Sequence, residues 1–137
     1  MARNDFQLLL ALIAPLLVWP WVPGLDGIYI KAGLIHTLAL FTAIPLLEEM
    51  LFCGVIQGWL LEKDWFNQVT AGASRANWFA SIAFAGAHLW QHSLVLLPGY
   101  LLVSLLLGHF RERYGGILVP VLLHGYYNLG LIIISTS

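Results

Sequence analysis

The chain has 137 residues, of which 60% are hydrophobic and only 9% charged, with a formal net charge of -1. So few charges do not make the coat that a soluble domain needs, and membrane residence is the expectation. No basic cluster marks a nucleic-acid surface, and the single cysteine, Cys53, excludes an internal disulfide.

Read in chain order, the apolar segments predict a single all-α domain, a polytopic transmembrane helix bundle of about five spans at 6–22, 33–60, 77–92, 93–110 and 117–134. The first span follows Arg3 and ends at Pro23-Gly24. Its "WPWVPG" exit lacks a small-x-small cleavage pattern, so it reads as a retained anchor rather than a signal peptide. The second span, at 1.5 Å rise per residue, measures roughly 42 Å against a hydrocarbon core of about 30 Å. Tilt accommodates part of the excess, and Pro45 predicts a bend just before a pair of glutamates. Gly54 and Gly58 follow as a G-x-x-x-G, read as ordinary close packing. The stretch "EKDWFNQVTAGASRAN" is the only sizeable polar connection, and Pro98-Gly99 lies near the start of the fourth span.

Charge orients these spans. Arg3, Lys63, Arg75, Arg111 and Arg113 fall on one side of five alternating helices and only Lys31 on the other. This bias predicts a cytoplasmic N-terminus and a C-terminus on the opposite side. The expected location is integral to a prokaryotic inner or plasma membrane. Trp19, Trp21, Trp59, Trp65, Trp78 and Trp90 stand near span ends, as interfacial tryptophans do. The "RER" of 111–113 reads as a topology anchor.

Against this apolar background the polar residues inside spans are informative. A charge at mid-membrane costs about 2.5–3.5 kcal/mol on insertion scales, yet "LLEEMLFCG" holds Glu48 and Glu49 side by side. In "FAGAH", Phe84 and His88 are four residues apart, as are His124 and Asn128 in "HGYYN", so each pair shares a helix face. Counted from the assumed cytoplasmic ends, Glu48, Glu49, His88 and Asn128 lie roughly 16–18 Å deep and His124 about 10 Å. Three helices thus deliver acids, imidazoles and an amide to a similar layer, a candidate wet cavity. A carboxylate in apolar surroundings suits proton abstraction near neutral pH, an imidazole helps hold a water, and a His and an Asn donate to an oxyanion. Together these parts make a peptide hydrolase that has no Ser or Cys nucleophile and needs no cofactor beyond an activated water. The Glu/His/His set also suits a metal ion, though the H-E-x-x-H pattern is absent; metal is unsupported but not excluded. His36, His92 and His109 read as interfacial or structural, and Cys53 as a packing cysteine.

"EEMLFCG", "FAGAH" and "HGYYN" together resemble the ordered motifs E-E-x-x-F-R, F-x-x-x-H and H-x-x-x-N/D of the CAAX prenyl endopeptidase and bacteriocin-processing family of glutamic intramembrane proteases, over residues 45–129. The resemblance implies that Glu48 is the general base, that His88 assists and orients the water, that His124 and Asn128 stabilise the oxyanion, and that Glu49 is an accessory acid. Phe52 and Phe84 match the motif aromatics and read as packing residues. Cys53 stands where the motif carries an arginine, which leaves Glu49 without an obvious cation. The implied partners are the lipid bilayer and a lipidated or membrane-anchored protein or peptide substrate, and the short chain leaves room for a helper subunit or an oligomer. Two other readings compete: a non-catalytic binding or immunity member of the same fold, and an ion or proton pathway.

Overall fold

The structure, a computed structural model, describes residues 5–18, 34–89 and 94–135. Arg3, Trp19, Trp21, Pro23-Gly24, Lys31, Trp90 and His92 lie outside the described residues. The described chain is mostly helical, and its contacts separate it into two units, residues 1–45 with 122–137, and residues 46–121.

The first unit contains helix α1 (Phe6–Val18), helix α2 (Leu34–Phe41) and most of the last helix, α7 (Leu118–Ser135). Two prolines organise it. Pro15 lacks an N–H, so the Ala11 carbonyl four residues earlier loses its helical donor. The hydroxyl of Tyr127 supplies one instead at 2.9 Å, and Tyr126 donates to the neighbouring Leu12 carbonyl at 2.8 Å. Pro45 does the same to the Phe41 carbonyl, and the chain turns at Thr42, where α2 gives way to α3 (Ala43–Glu49). The Thr42 hydroxyl donates back to the Leu38 carbonyl at 2.7 Å. Gly125 of α7 lies so close to the Phe41 carbonyl that a Cβ there would collide with it, and Asn128 Nδ2 donates to the Leu40 carbonyl at 3.0 Å. The helical bonding is therefore interrupted before Pro45, and the carbonyls there are where α7 docks.

In the second unit, a seven-residue π-helical segment, Met50–Ile56, directly follows the acidic pair. The N–H of Gln57 reaches five residues back to the Phe52 carbonyl, the wider bonding pattern of a π-turn. Helix α4 (Gln57–Leu61) continues the same rod. The polar connection that follows holds a feature not anticipated above, a hairpin of β1 (Val69–Thr70) and β2 (Ala73–Ser74), with Val69 opposite Ser74 and Thr70 opposite Ala73. Its two-residue loop, Ala71-Gly72, has positive φ at both positions (50° and 84°), the backbone that matches strand twist. Trp78 Nε1 ties the hairpin to the next helix by donating to the Thr70 carbonyl at 2.8 Å.

Helix α5 (Arg75–His88) starts two residues before the expected 77 because Ser74 caps it: its hydroxyl accepts the Asn77 N–H at 2.9 Å. A 3₁₀ turn, Leu94–Leu96, leads into α6 (Leu97–Tyr114), which runs past the expected end at 110. Arg111 and Arg113 suit the negative end of a helix dipole, and the stop comes only at Gly115, whose φ of 71° admits no ordinary side chain. α5 and α6 pack on small residues. Ala76, Ala80 and Ala85 are buried on α5, and Gly108 on α6 faces the Asn77 amide, which donates to the Leu105 carbonyl at 2.9 Å and accepts the Ser81 hydroxyl at 3.1 Å.

Among the described residues, two helical stretches, Ile35–Leu61 and Leu94–Tyr114, are long and apolar enough to cross a membrane. Only 17% and 22% of their most apolar windows are buried inside the protein, whereas the core helix of a soluble domain would be mostly buried. Leu38, Leu47, Leu51, Val55 and Leu102 are among the large apolar side chains that remain exposed, which is what a hydrocarbon solvent permits.

The α5–α6 contact has a direct test. A methyl added at Gly108 meets the Asn77 amide, so Gly108→Ala should destabilise by about 1–3 kcal/mol. Gly99→Ala, where an added Cβ meets open space, should stay within about 0.5 kcal/mol. Thermal unfolding in detergent measures both.

Candidate active site

Glu48 and Glu49 occupy the last turn of α3, immediately before the π-turn segment. Adjacent residues on a helix point about 100° apart, so the two acids meet different surroundings. Glu49 is turned inward, with 1% exposure. Cys53 is itself buried, in line with its reading as a packing residue. Glu48 is half-buried and faces His88.

His88 is the last residue of α5. Its Nδ1 lies 2.9 Å from the Phe84 carbonyl. A carbonyl oxygen only accepts, so Nδ1 carries the proton and donates, and in the neutral ring Nε2 is left as an acceptor. That Nε2 stands 3.9 Å from Oε1 of Glu48. This is too long for a direct hydrogen bond, yet a small molecule beside both atoms can reach each of them. With Glu48 ionised and His88 neutral, both atoms are acceptors, so the species they hold best carries two O–H donors.

Aromatic rings fix the imidazole. Phe84 lies 4.3 Å away, centroid to centroid, at 33°, and Tyr100 of α6 stacks on His88 at 4.6 Å and 26°. Phe52 of the π-turn segment meets Phe84 edge-on at 5.1 Å. The motif aromatics are thus packing residues, as expected, and what they pack is the histidine. Tyr100 was not anticipated. Its only sequence signal is that it shares a helix face with the buried residues Ser104, Leu107 and Gly108, and nothing local points that face at His88.

His124 and Asn128 lie on α7 within the first unit, one turn apart as their spacing predicted. His124 is buried. One N–H of the Asn128 amide is held by the Leu40 carbonyl, which orients the group and leaves a second N–H on the same nitrogen. Among the described residues no three of His, Cys, Asp and Glu gather in a group fit to hold a metal ion. His36 is exposed on α2, and His109 packs beside Phe110.

The "RER" segment does more than a topology anchor requires. Arg111 Nε donates to the Cys53 carbonyl at 2.9 Å. Glu112 accepts Gln57 Nε2 at 2.7 Å and the Ser74 hydroxyl at 2.5 Å. Gln57, fully buried, also donates to the Gly108 carbonyl at 3.1 Å. The G-x-x-x-G likewise differs from plain helix packing, because the space left by Gly58 is filled by the Arg111 guanidinium.

The profile of the type II CAAX prenyl endopeptidase Rce1-like family matches residues 30–130, a stretch that includes Glu48, Glu49, His88, His124 and Asn128. The chain belongs to this family. No curated protein and no solved structure matches it. Rce1-like endopeptidases are membrane proteases, so the chain is a peptidase homologue whose long apolar helices agree with a membrane location.

The His88–Tyr100 stack makes a prediction for an Rce1-like protein. A stacked aromatic pair contributes about 0.5–1.5 kcal/mol, so Tyr100→Ala should lower peptidase turnover by roughly three- to tenfold. Tyr100→Phe, which keeps the ring, should retain most of it. Equal turnover in Tyr100→Ala and the parent protein would show that the stack does not hold the imidazole.

Proposed function

We propose that the chain is a glutamic-type intramembrane endopeptidase that cleaves a peptide bond near the membrane in a lipidated or membrane-anchored protein or peptide. The observation that carries this reading is the Glu48–His88 pair, two acceptor atoms 3.9 Å apart on two helices. A water donating to both is polarised along one O–H bond toward Glu48. As its oxygen attacks the scissile carbonyl carbon, its proton passes to the Glu48 carboxylate and the carbonyl π-bond becomes an oxyanion. Collapse of the tetrahedral species re-forms the C=O and breaks the C–N bond. The proton held by Glu48 then passes to the leaving amine, so the acid returns to its starting state. His88 orients the water and shares its positive charge.

In this reading His124 and the second N–H of Asn128 donate to the oxyanion, a role that comes from the family motif. It requires both pairs to act on one bound peptide. Glu49 is an accessory acid that shapes the end of α3. The reaction needs no cofactor beyond water. The proposal extends to five spans in a plasma membrane, with a cytoplasmic N-terminus and the C-terminus on the opposite side, and to a substrate delivered within the bilayer, with or without a helper subunit. The competing reading, a non-catalytic member of the fold, draws on the cysteine at position 53.

The test is cleavage of tagged, membrane-anchored candidate substrates. Glu48→Gln keeps the shape of the acid but not its basicity and should lower turnover by a hundredfold or more. His124→Ala should cost about a hundred- to a thousandfold. Folded variants that cleave at the parent rate would reject the assignment, and intact biological activity in Glu48→Gln would favour the non-catalytic reading.

A further inference from the structure

The π-turn segment raises a physical problem. It lies in a stretch with hydrocarbon-facing side chains, directly after the acids, and π-helical bonding is weaker and rarer than α-helical bonding. Left alone, such a segment would tend to relax toward α-helix. Each residue of an α-helix turns the chain by about 100°, so removing the one-residue excess of a π-turn would swing Glu48 and Glu49 by that angle relative to α4. Glu48 would then leave His88.

One side chain of α6 bonds the segment directly, and its neighbour bonds the elements on either side. Arg111 Nε donates to the carbonyl of Cys53, in the middle of the π-turn, at 2.9 Å. The rest of its guanidinium fits the gap at Gly58, where a Cβ would stand 2.9 Å from a terminal guanidinium nitrogen. One residue on, Glu112 receives Gln57 and Ser74, so the end of α6 is bonded both to the first residue of α4 and to the cap of α5. Cys53 lies four residues after Glu49, so the bonded carbonyl is close along the chain to both acids.

We propose that Arg111 is a positioning residue for the Glu48–His88 pair, and that its bond to the Cys53 carbonyl from the Gly58 notch keeps the π-turn in the register that aims Glu48 at the imidazole. The role rests on the endopeptidase reading for its effect on catalysis, but the mechanical part stands independently of it. An arginine suits the site because its planar group donates from Nε while its far end lies flat in a shallow notch; a lysine ammonium offers one compact point of contact.

The experiment uses the full chain in detergent micelles with Arg111→Met, Arg111→Lys and Gly58→Ala. Cys53 is the only cysteine, so N-ethylmaleimide reports on the π-turn without any reference to activity. Cys53 is 3% exposed, and the parent protein should label slowly. Arg111→Met should label at least fivefold faster, Arg111→Lys at an intermediate rate, and Gly58→Ala, which keeps the arginine but fills its notch, about twofold faster. Against a cleavable substrate, Arg111→Met should lower kcat by ten- to a hundredfold while KM stays within about twofold, with partial recovery in Arg111→Lys. Unchanged labelling in Arg111→Met overturns the proposal whatever the activity. Faster labelling with an unchanged kcat also overturns it, since the arginine would then brace the fold without aiming the acid. If Glu48→Gln cleaves like the parent, the endopeptidase reading fails, and the labelling series alone decides whether Arg111 holds the π-turn.

Discussion

Hydrocarbon offers nothing to a backbone carbonyl that has lost its helical donor, so every such carbonyl in a membrane helix must be met by another part of the protein. This constraint organises the described structure. Pro15 removes the donor for Ala11, and Tyr127 reaches that carbonyl from α7. Pro45 removes the donor for Phe41, Gly125 lets α7 approach that oxygen closely, and Asn128 bonds the Leu40 carbonyl beside it. The π-turn changes the bonding around Cys53, and Arg111 reaches its carbonyl from α6. In each case a local defect in one helix is the docking point of another.

The same defects place the chemistry. Asn128 is oriented because its amide bonds a carbonyl at the α2–α3 break. Glu48 and Glu49 stand between the turn at Thr42 and the π-turn, so the short helix that carries them is bounded by irregular backbone on both sides. Irregular backbone at membrane depth carries a cost unless partners satisfy it, and its concentration around the acids agrees with a site whose geometry matters more than local stability. The imidazole is held differently, by the Phe84 carbonyl at one nitrogen and by rings on its faces. That arrangement sets the tautomer, and the tautomer decides that Nε2 accepts rather than donates.

The acidic pair illustrates how one dipeptide serves two purposes. Glu49 is sealed inside, while Glu48 is half-buried and turned to a histidine. The loss of the arginine at position 53 is accompanied by a guanidinium arriving from α6, bonded to the backbone of the same residue rather than to the acid. Membership of the Rce1-like family therefore coexists with local chemistry at the end of its first motif that the motif pattern does not describe.

Much of this protein was legible in the residues alone. Apolar runs with few charges require helices in a membrane, because only a helix satisfies its own backbone there. Glu48, Glu49, His88, His124 and Asn128 stood out because polar groups in such runs are costly, and the i, i+4 spacing put each histidine on one face with its motif partner. The break in helical bonding before Pro45 followed from a missing N–H. Other features were hidden for a common reason. Tyr100 and Arg111 look like an ordinary interfacial ring and a membrane-edge charge until α6 is placed against α5 and the π-turn. Gly58 looks like a packing glycine until a guanidinium fills its gap. The π-turn has no signature in residue type, and the hairpin at 69–74 depends on a positive φ at Ala71 that composition does not announce. Periodicity and solvation cost are properties of a segment and can be read along it. Which side chain meets a given carbonyl is a property of two segments far apart in the chain, and only their packing decided it.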